Sequence, residues 1–162
     1  MQDWNEEIRE AVDRYAAGPE LLRASVEGLT AEQIRTPAPP GRWSPLEVVC
    51  HIADFETIYA DRIKRALAET EPLLPSGDPD LFAASLSYLD RDLEEELTLI
   101  ATQRGQIEKI LRSRPAEAFE RRGRHSVDGP VSILKLLKSV GNHIPHHVDF
   151  LQKKRPVLLG EA

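Results

Sequence analysis

Apolar side chains recur at helical spacing along four stretches of the chain, and turn-forming residues separate them. Over residues 3–29, Trp4, Ile8, Val12, Tyr15, Leu22, Val26 and Leu29 share one face. Gly18-Pro19 interrupts that face. Proline removes a backbone donor and suits a first helical turn. The stretch therefore reads either as one kinked helix or as a short leader before a helix that starts at Pro19. Pro37, Pro39, Pro40 and Gly41 make residues 30–43 a loop ending in Trp43, a residue type more often packed than free. Ser44, Pro45 and Glu47 then supply a capping box and a first-turn proline. They open a helix to about Ala68 with the stripe Val48, Ile52, Phe55, Tyr59 and Ile63.

A loop over 70–80 follows. Asp78-Pro79 is expected to start a third helix reaching Leu111, on the stripe Phe82, Leu86, Leu89, Leu93, Leu97, Ile100, Ile107 and Leu111. Asp90, Glu94, Glu95 and Glu96 read as its wet side. Pro115 to Arg122 is expected as a short linking helix, and 123–129 as a loop holding His125 and Gly129. The last helix should begin near Pro130 and end before Pro156, with Ile133, Leu136, Leu137, Val140, Ile144, Val148 and Leu151 on its apolar side. No stretch reads as a strand. The expectation is an all-α protein, a four-helix bundle, in one domain over residues 1–162.

Composition fits this picture. The 162 residues are 41 % apolar and 30 % charged, enough for one sizeable core in a globular chain. The net charge of -6 and the short basic clusters around Arg121 and Lys153 give no nucleic-acid footprint. No run approaches the length of a membrane helix, and the acidic first residues lack the apolar run of a signal peptide. A single cysteine, Cys50, allows no internal disulfide. A cytoplasmic location is expected, and Cys50 is expected in the core rather than as a nucleophile.

The candidate chemistry lies in the histidines. His143 and His147 stand four apart in GNHIPHHVDF and so share a helical face. His146 is turned about 60° from His143 and about 100° from His147, which makes it the less natural partner. His51 sits mid-helix beside Val48, Ile52 and Phe55, where a buried ring needs a polar partner. One divalent ion shared by His51, His143 and His147 meets that need. Three imidazoles leave a coordination position open, the pattern of a reactive rather than a structural zinc site. Zinc or nickel suits such a set, as do manganese and iron. Asp54 and Glu47 lie one turn either side of His51, and Asp54 is the candidate to orient a ligand ring. Pro145, between the two paired histidines, should kink the helix opposite Gly141.

Two segments carry a resemblance: PPGRWSPLEVVCHIADFE at 39–56 and RRGRHSVDGPVSILKLLKSVGNHIPHHVDFL at 121–151. Together with the helix order, over about 19–155, they resemble the DinB-like superfamily, on its YfiT-type branch of metal-dependent hydrolases. The resemblance implies an up-down-down-up bundle and a three-histidine metal site falling on His51, His143 and His147. It places His125 in a loop histidine position near the site mouth, outside the ligand set. It also implies kinship with thiol-dependent transferases that use bacillithiol, mycothiol or glutathione.

Three readings follow. The first is a metal-dependent S-transferase that activates a low-molecular-weight thiol for attack on a small electrophile. The second is a hydrolase using water at the same position. The third is a non-catalytic, metal-binding stress-response protein. No catalytic residue beyond the metal ligands stands out. A homodimer is expected, because symmetric pairing is common.

Overall fold

A computed structural model describes residues 3–37 and 39–161. Ala38 of the proline-rich loop, and the ends of the expected domain at 1–2 and 162, lie outside the described residues. Four long helices dominate: α1 (Glu6–Val26), α3 (Pro45–Ala68), α5 (Leu93–Arg112) and α6 (Ile133–Leu159), with short helices α2 (Ala31–Arg35) and α4 (Pro79–Ser85) between them. The capping box at α3 forms as its sequence requires: Ser44 accepts from the Glu47 N–H, and the Glu47 carboxylate accepts from the Ser44 N–H at 2.7 Å.

Side-chain pairs give the helix directions. Glu7 meets Lys138 and Arg14 meets Asn142, so α1 and α6 run parallel. Thr57 meets Gln103 and Lys64 meets Gln106, so α3 and α5 run parallel. Asp13 with Arg112 and Arg23 with Glu94 make α1 and α5 antiparallel. His51 with His143 and Tyr59 with Ser139 do the same for α3 and α6. The bundle is up-down-down-up, as the resemblance implied. No helix among the described residues is long and apolar enough to cross a membrane.

Several expectations are corrected. The third helix is not continuous over 78–111. After α4 the chain passes through Ser87 in the left-handed region (φ 49°) and a 3-10 turn at Tyr88–Asp90, and Asp92 caps α5 afresh by accepting from the Glu94 and Glu95 N–H groups. Leu86 and Leu89 are therefore exposed rather than in the stripe. Glu96 is buried, held by Arg91, and is not on the wet side. A small sheet exists where none was expected. Strand β1 (Leu73–Leu74) runs parallel to β2 (Arg122–His125), which forms a hairpin with β3 (Gly129–Ser132). The 123–129 loop is thus the hairpin's first strand and turn, and Gly129 (φ +72°) closes it in the left-handed region. The linking segment is a 3-10 turn at Ala116–Glu120. Helix α6 begins only after this hairpin, at Ile133 with Ser132 as its cap, and continues past Pro156 to Leu159, where Gly160 caps it.

Helix α1 is one helix with Pro19 inside it. Proline at 19 leaves the Tyr15 carbonyl without its helical donor. The Arg104 guanidinium donates to that carbonyl instead, at 2.7 Å, and also binds the Glu56 carboxylate and the Val140 carbonyl. Arg104 and Glu56 are essentially fully buried. They sit where two apolar clusters meet on every helix: between Tyr15 and Leu22, between Ala53 and Ala60, between Ile100 and Ile107, and at Val140–Ile144. Gly18 leaves the room; a Cβ there would overlap the guanidinium.

Replacing Gly18 by Ala should therefore cost about 1–3 kcal/mol through overpacking. Arg104→Ala should cost about 3–5 kcal/mol, because Glu56 is left charged and unpaired. On the Arg104→Ala background the Gly18→Ala cost should vanish. Urea unfolding of the double-mutant cycle reads this coupling, and additive losses would contradict the arrangement.

Candidate metal centre

α3 and α6 cross so that His51, from the second turn of α3, faces His143 and His147, one turn apart on α6. The three Nε2 atoms converge. Those of His51 and His143 are 3.0 Å apart, and those of His143 and His147 are 3.1 Å apart. Two nitrogens bound to one zinc at ordinary bond lengths stand about 3.3 Å apart, so the set is already near ligand spacing. The chemistry of the donors fits as well. A metal takes neutral imidazole, and these rings are held neutral. Burial lowers the pKa of His51 to about 4, that of His147 to about 3 and that of His143 to about 2, with repulsion from neighbouring rings adding to the last two. Among the described residues these three form the only such cluster of metal-ligating side chains.

Beyond their mutual Nε2 contacts, the rings are held by aromatic packing. Trp43 lies 4.9 Å and Phe55 4.6 Å from the His51 ring, centroid to centroid. The Nδ1 atoms of His51 and His143 are buried with no protein partner. Asp54, expected to orient a ligand, does not do so. Both of its oxygens accept from Arg91 Nη1 at 3.1 Å, because a guanidinium outcompetes a neutral ring for a carboxylate. Arg91 lies in a linker whose sequence gave no sign of this role. His125 sits on β2, where its Nδ1 accepts from the Asp128 N–H at 3.1 Å, and it lines a cleft beyond Phe55 rather than the triad. His146 is exposed, its ring 5.2 Å from that of His147. Helix α6 runs unbroken through Pro145, and Gly141 packs against the α1 backbone at Ala11 and Tyr15. Cys50 is buried, its thiol donating to the Tyr88 carbonyl at 3.5 Å, and burial pushes its pKa up to about 12.

The triad opens on one side. A cavity of 370 Å³ adjoins His147 and is walled by Trp43, Phe150, His146, Arg42 and Asp80. Of these, the sequence singled out Trp43, as a packed residue, and His146, as the less natural partner of His143 and His147. Phe150, Arg42 and Asp80 come from α6, the proline-rich loop and α4, and share no local pattern.

The sequence and the fold both have counterparts among known proteins. The DinB superfamily model matches residues 14–151. A protein of Oceanobacillus iheyensis named "Putative metal-dependent hydrolase OB0782" is 30% identical over 87% of this chain and 81% of its own length. The structure of YfiT from Bacillus subtilis, described as a probable metal-dependent hydrolase with an unusual four-helix bundle topology, superposes with a TM-score of 0.87. It does so over 100% of this chain and 93% of that one, at 22% identity. The four-helix bundle protein TT2238 gives a TM-score of 0.65 at 23% identity, over 90% of this chain and 98% of that one.

The depressed histidine pKa values set a pH dependence for the metal-free protein. An unfolded histidine titrates near about 6.5, so just below that pH the unfolded chain binds more protons than the folded one. Stability is therefore fully present above about pH 6.5 and falls as the pH drops towards the folded value of about 4 for His51. Thermal unfolding of chelator-treated protein should show the midpoint dropping between about pH 7 and about pH 5, and dropping less in His143→Gln. A midpoint that is flat over this range would contradict the assignment of buried, neutral rings.

Proposed function

The chain belongs to the DinB superfamily, and from that premise we propose that it is a metal-dependent enzyme transferring a low-molecular-weight thiol to a small electrophile. The observation that carries this reading is the convergence of three neutral Nε2 atoms, without a fourth protein donor among the described residues, beside a cavity large enough for a small molecule. A divalent ion in such a set, zinc or nickel first and manganese or iron next, supplies a Lewis-acid position that lowers the pKa of whatever nucleophile occupies it. His51, His143 and His147 hold that position, and Trp43 and Phe55 fix the His51 ring. Trp43 and Phe150 offer the electrophile an apolar wall.

The surrounding carboxylates favour a thiol over water. Asp54 is bound to Arg91, Glu56 to Arg104, and Glu47 caps α3. None of these is free to accept a proton. A thiol ionises near about 8.5 and needs far less assistance than water at about 15.7. The chain supplies no thiol of its own there, since Cys50 is buried and protonated. The nucleophile therefore comes from solution. Its proton is released to solvent, the C–S bond forms, and the leaving group departs with its electron pair.

One observation favours hydrolysis as the second reading. Asp80 lines the cavity, has no ion-pair partner among the described residues, and could take a proton from water. The names of the relatives point the same way.

The two readings separate in one assay. Metal-loaded protein is offered monochlorobimane with bacillithiol, mycothiol or glutathione, and separately a p-nitrophenyl ester. S-transfer predicts thiol-dependent turnover that is lost in His143→Ala and unchanged within about twofold in Asp80→Asn. Ester turnover that falls by about a hundredfold in Asp80→Asn, with no thiol turnover, would establish the hydrolase instead.

A further inference from the structure

Beyond Phe55, on the side away from the open mouth, lies a second cleft of 230 Å³ between α3, the β2–β3 hairpin and the start of α6. Its walls carry an unusual charge. Arg62 is 5% exposed, yet no carboxylate among the described residues pairs with it. It donates through Nε and Nη2 to one neutral acceptor, the Pro75 carbonyl, at 3.0 and 2.6 Å, and its guanidinium lies 5.0 Å from the Tyr59 ring. A buried guanidinium is ordinarily matched by an anion, as Arg104 is by Glu56. Lys135, on the opposite wall, is also without an ion pair among the described residues. Asp128 is the one acidic wall residue; its charge, with that of Asp61, acts on Arg62 without forming an ion pair with it. The cleft thus keeps an excess of positive charge. The hydroxyls of Tyr59 and Ser139, 2.9 Å apart, add hydrogen-bonding capacity between the two cations.

Position ties this cleft to the metal centre. Phe55 is a common wall: it lines the cleft, and its ring packs on those of His51 and His143. Ser139 precedes His143 by one turn of α6. Tyr59 follows His51 by eight residues of α3, about 12 Å along the helix. An elongated small molecule could reach both ends.

We propose that this cleft is an oxyanion subsite, in which Arg62 and Lys135 bind the carboxylate or phosphate group of a small substrate whose other end lies at the histidine triad. The planar guanidinium supplies the remaining Nη hydrogens to the anion, and Lys135 closes over it from the solvent side. The seat for the anion depends only on the cleft. The claim that a reacting end lies at the triad rests on the metal-dependent reading above.

Calorimetric titration of the metal-free, full-length protein with succinate, inorganic phosphate and neutral succinamide tests the seat without the metal. Succinate or phosphate should bind and succinamide should not, and the tighter of the two identifies the anion class. Lys135→Glu, an exposed substitution, should weaken binding by about tenfold or more. Arg62→Lys should do the same while circular dichroism shows the fold retained, and His51→Ala should leave the affinity unchanged. Equal binding of succinamide, no binding of either anion, or an unchanged affinity in Lys135→Glu would overturn the proposal. So would loss of binding in His51→Ala, which would place the anion at the triad. If metal binding fails and anion binding survives, the metal reading falls and the subsite stands.

Discussion

The bundle is organised around one buried guanidinium. Arg104 rises from α5 and reaches the other three long helices: the Tyr15 carbonyl of α1, the Glu56 carboxylate of α3 and the Val140 carbonyl of α6. Each partner would be costly alone in the core. Pro19 orphans the Tyr15 carbonyl, and Glu56 is a charge with no access to water. Arg104 pairs both, meeting the Tyr15 carbonyl and one oxygen of Glu56, with Gly18 leaving room. A hydrophobic core by itself tolerates sliding and repacking. A single ion pair contacting four helices fixes their relative height and register. Arg104 also lies close enough to His143 for its charge to oppose protonation of that ring.

That register matters because the histidine triad is built across two helices. His143 and His147 are neighbours by helical geometry alone. His51 joins them only if α3 and α6 meet at one height. The polar layer at Glu56 and Val140 lies about one turn from His51 and His143, so it controls the crossing where the donors converge. Around the rings the protein provides aromatic faces and no hydrogen-bond acceptors at Nδ1 of His51 and His143. The result is a cluster of neutral donors beside the mouth lined by His147, Trp43 and Phe150.

The parts legible in the sequence are those carried by local periodicity or a local cap. The Ser44–Glu47 box placed the start of α3, the i, i+4 pair placed two histidines, and a polar ring among Val48, Ile52 and Phe55 marked the third. What escaped was set by distant contacts. Leu86 and Leu89 continue an apolar stripe across Ser87, so the break between α4 and α5 left no trace in the pattern; the left-handed residue and the Asp92 cap decide it. Strand β1 is two residues long, and β2 is Arg-Gly-Arg-His, too short and polar to read as a strand. Asp54 sits at the right helical spacing to serve His51, but Arg91, 37 residues away, takes both its oxygens. Arg104 and Pro19 each look unremarkable until the fold brings them together.

The central claim is that His51, His143 and His147 hold one divalent ion as a unit. Elemental analysis of the purified protein beside His51→Ala, His143→Ala and His125→Ala tests it most directly. The arrangement predicts about one ion per chain in the parent and in His125→Ala, and loss of the ion in the other two. Unchanged metal content in both His51→Ala and His143→Ala would contradict it.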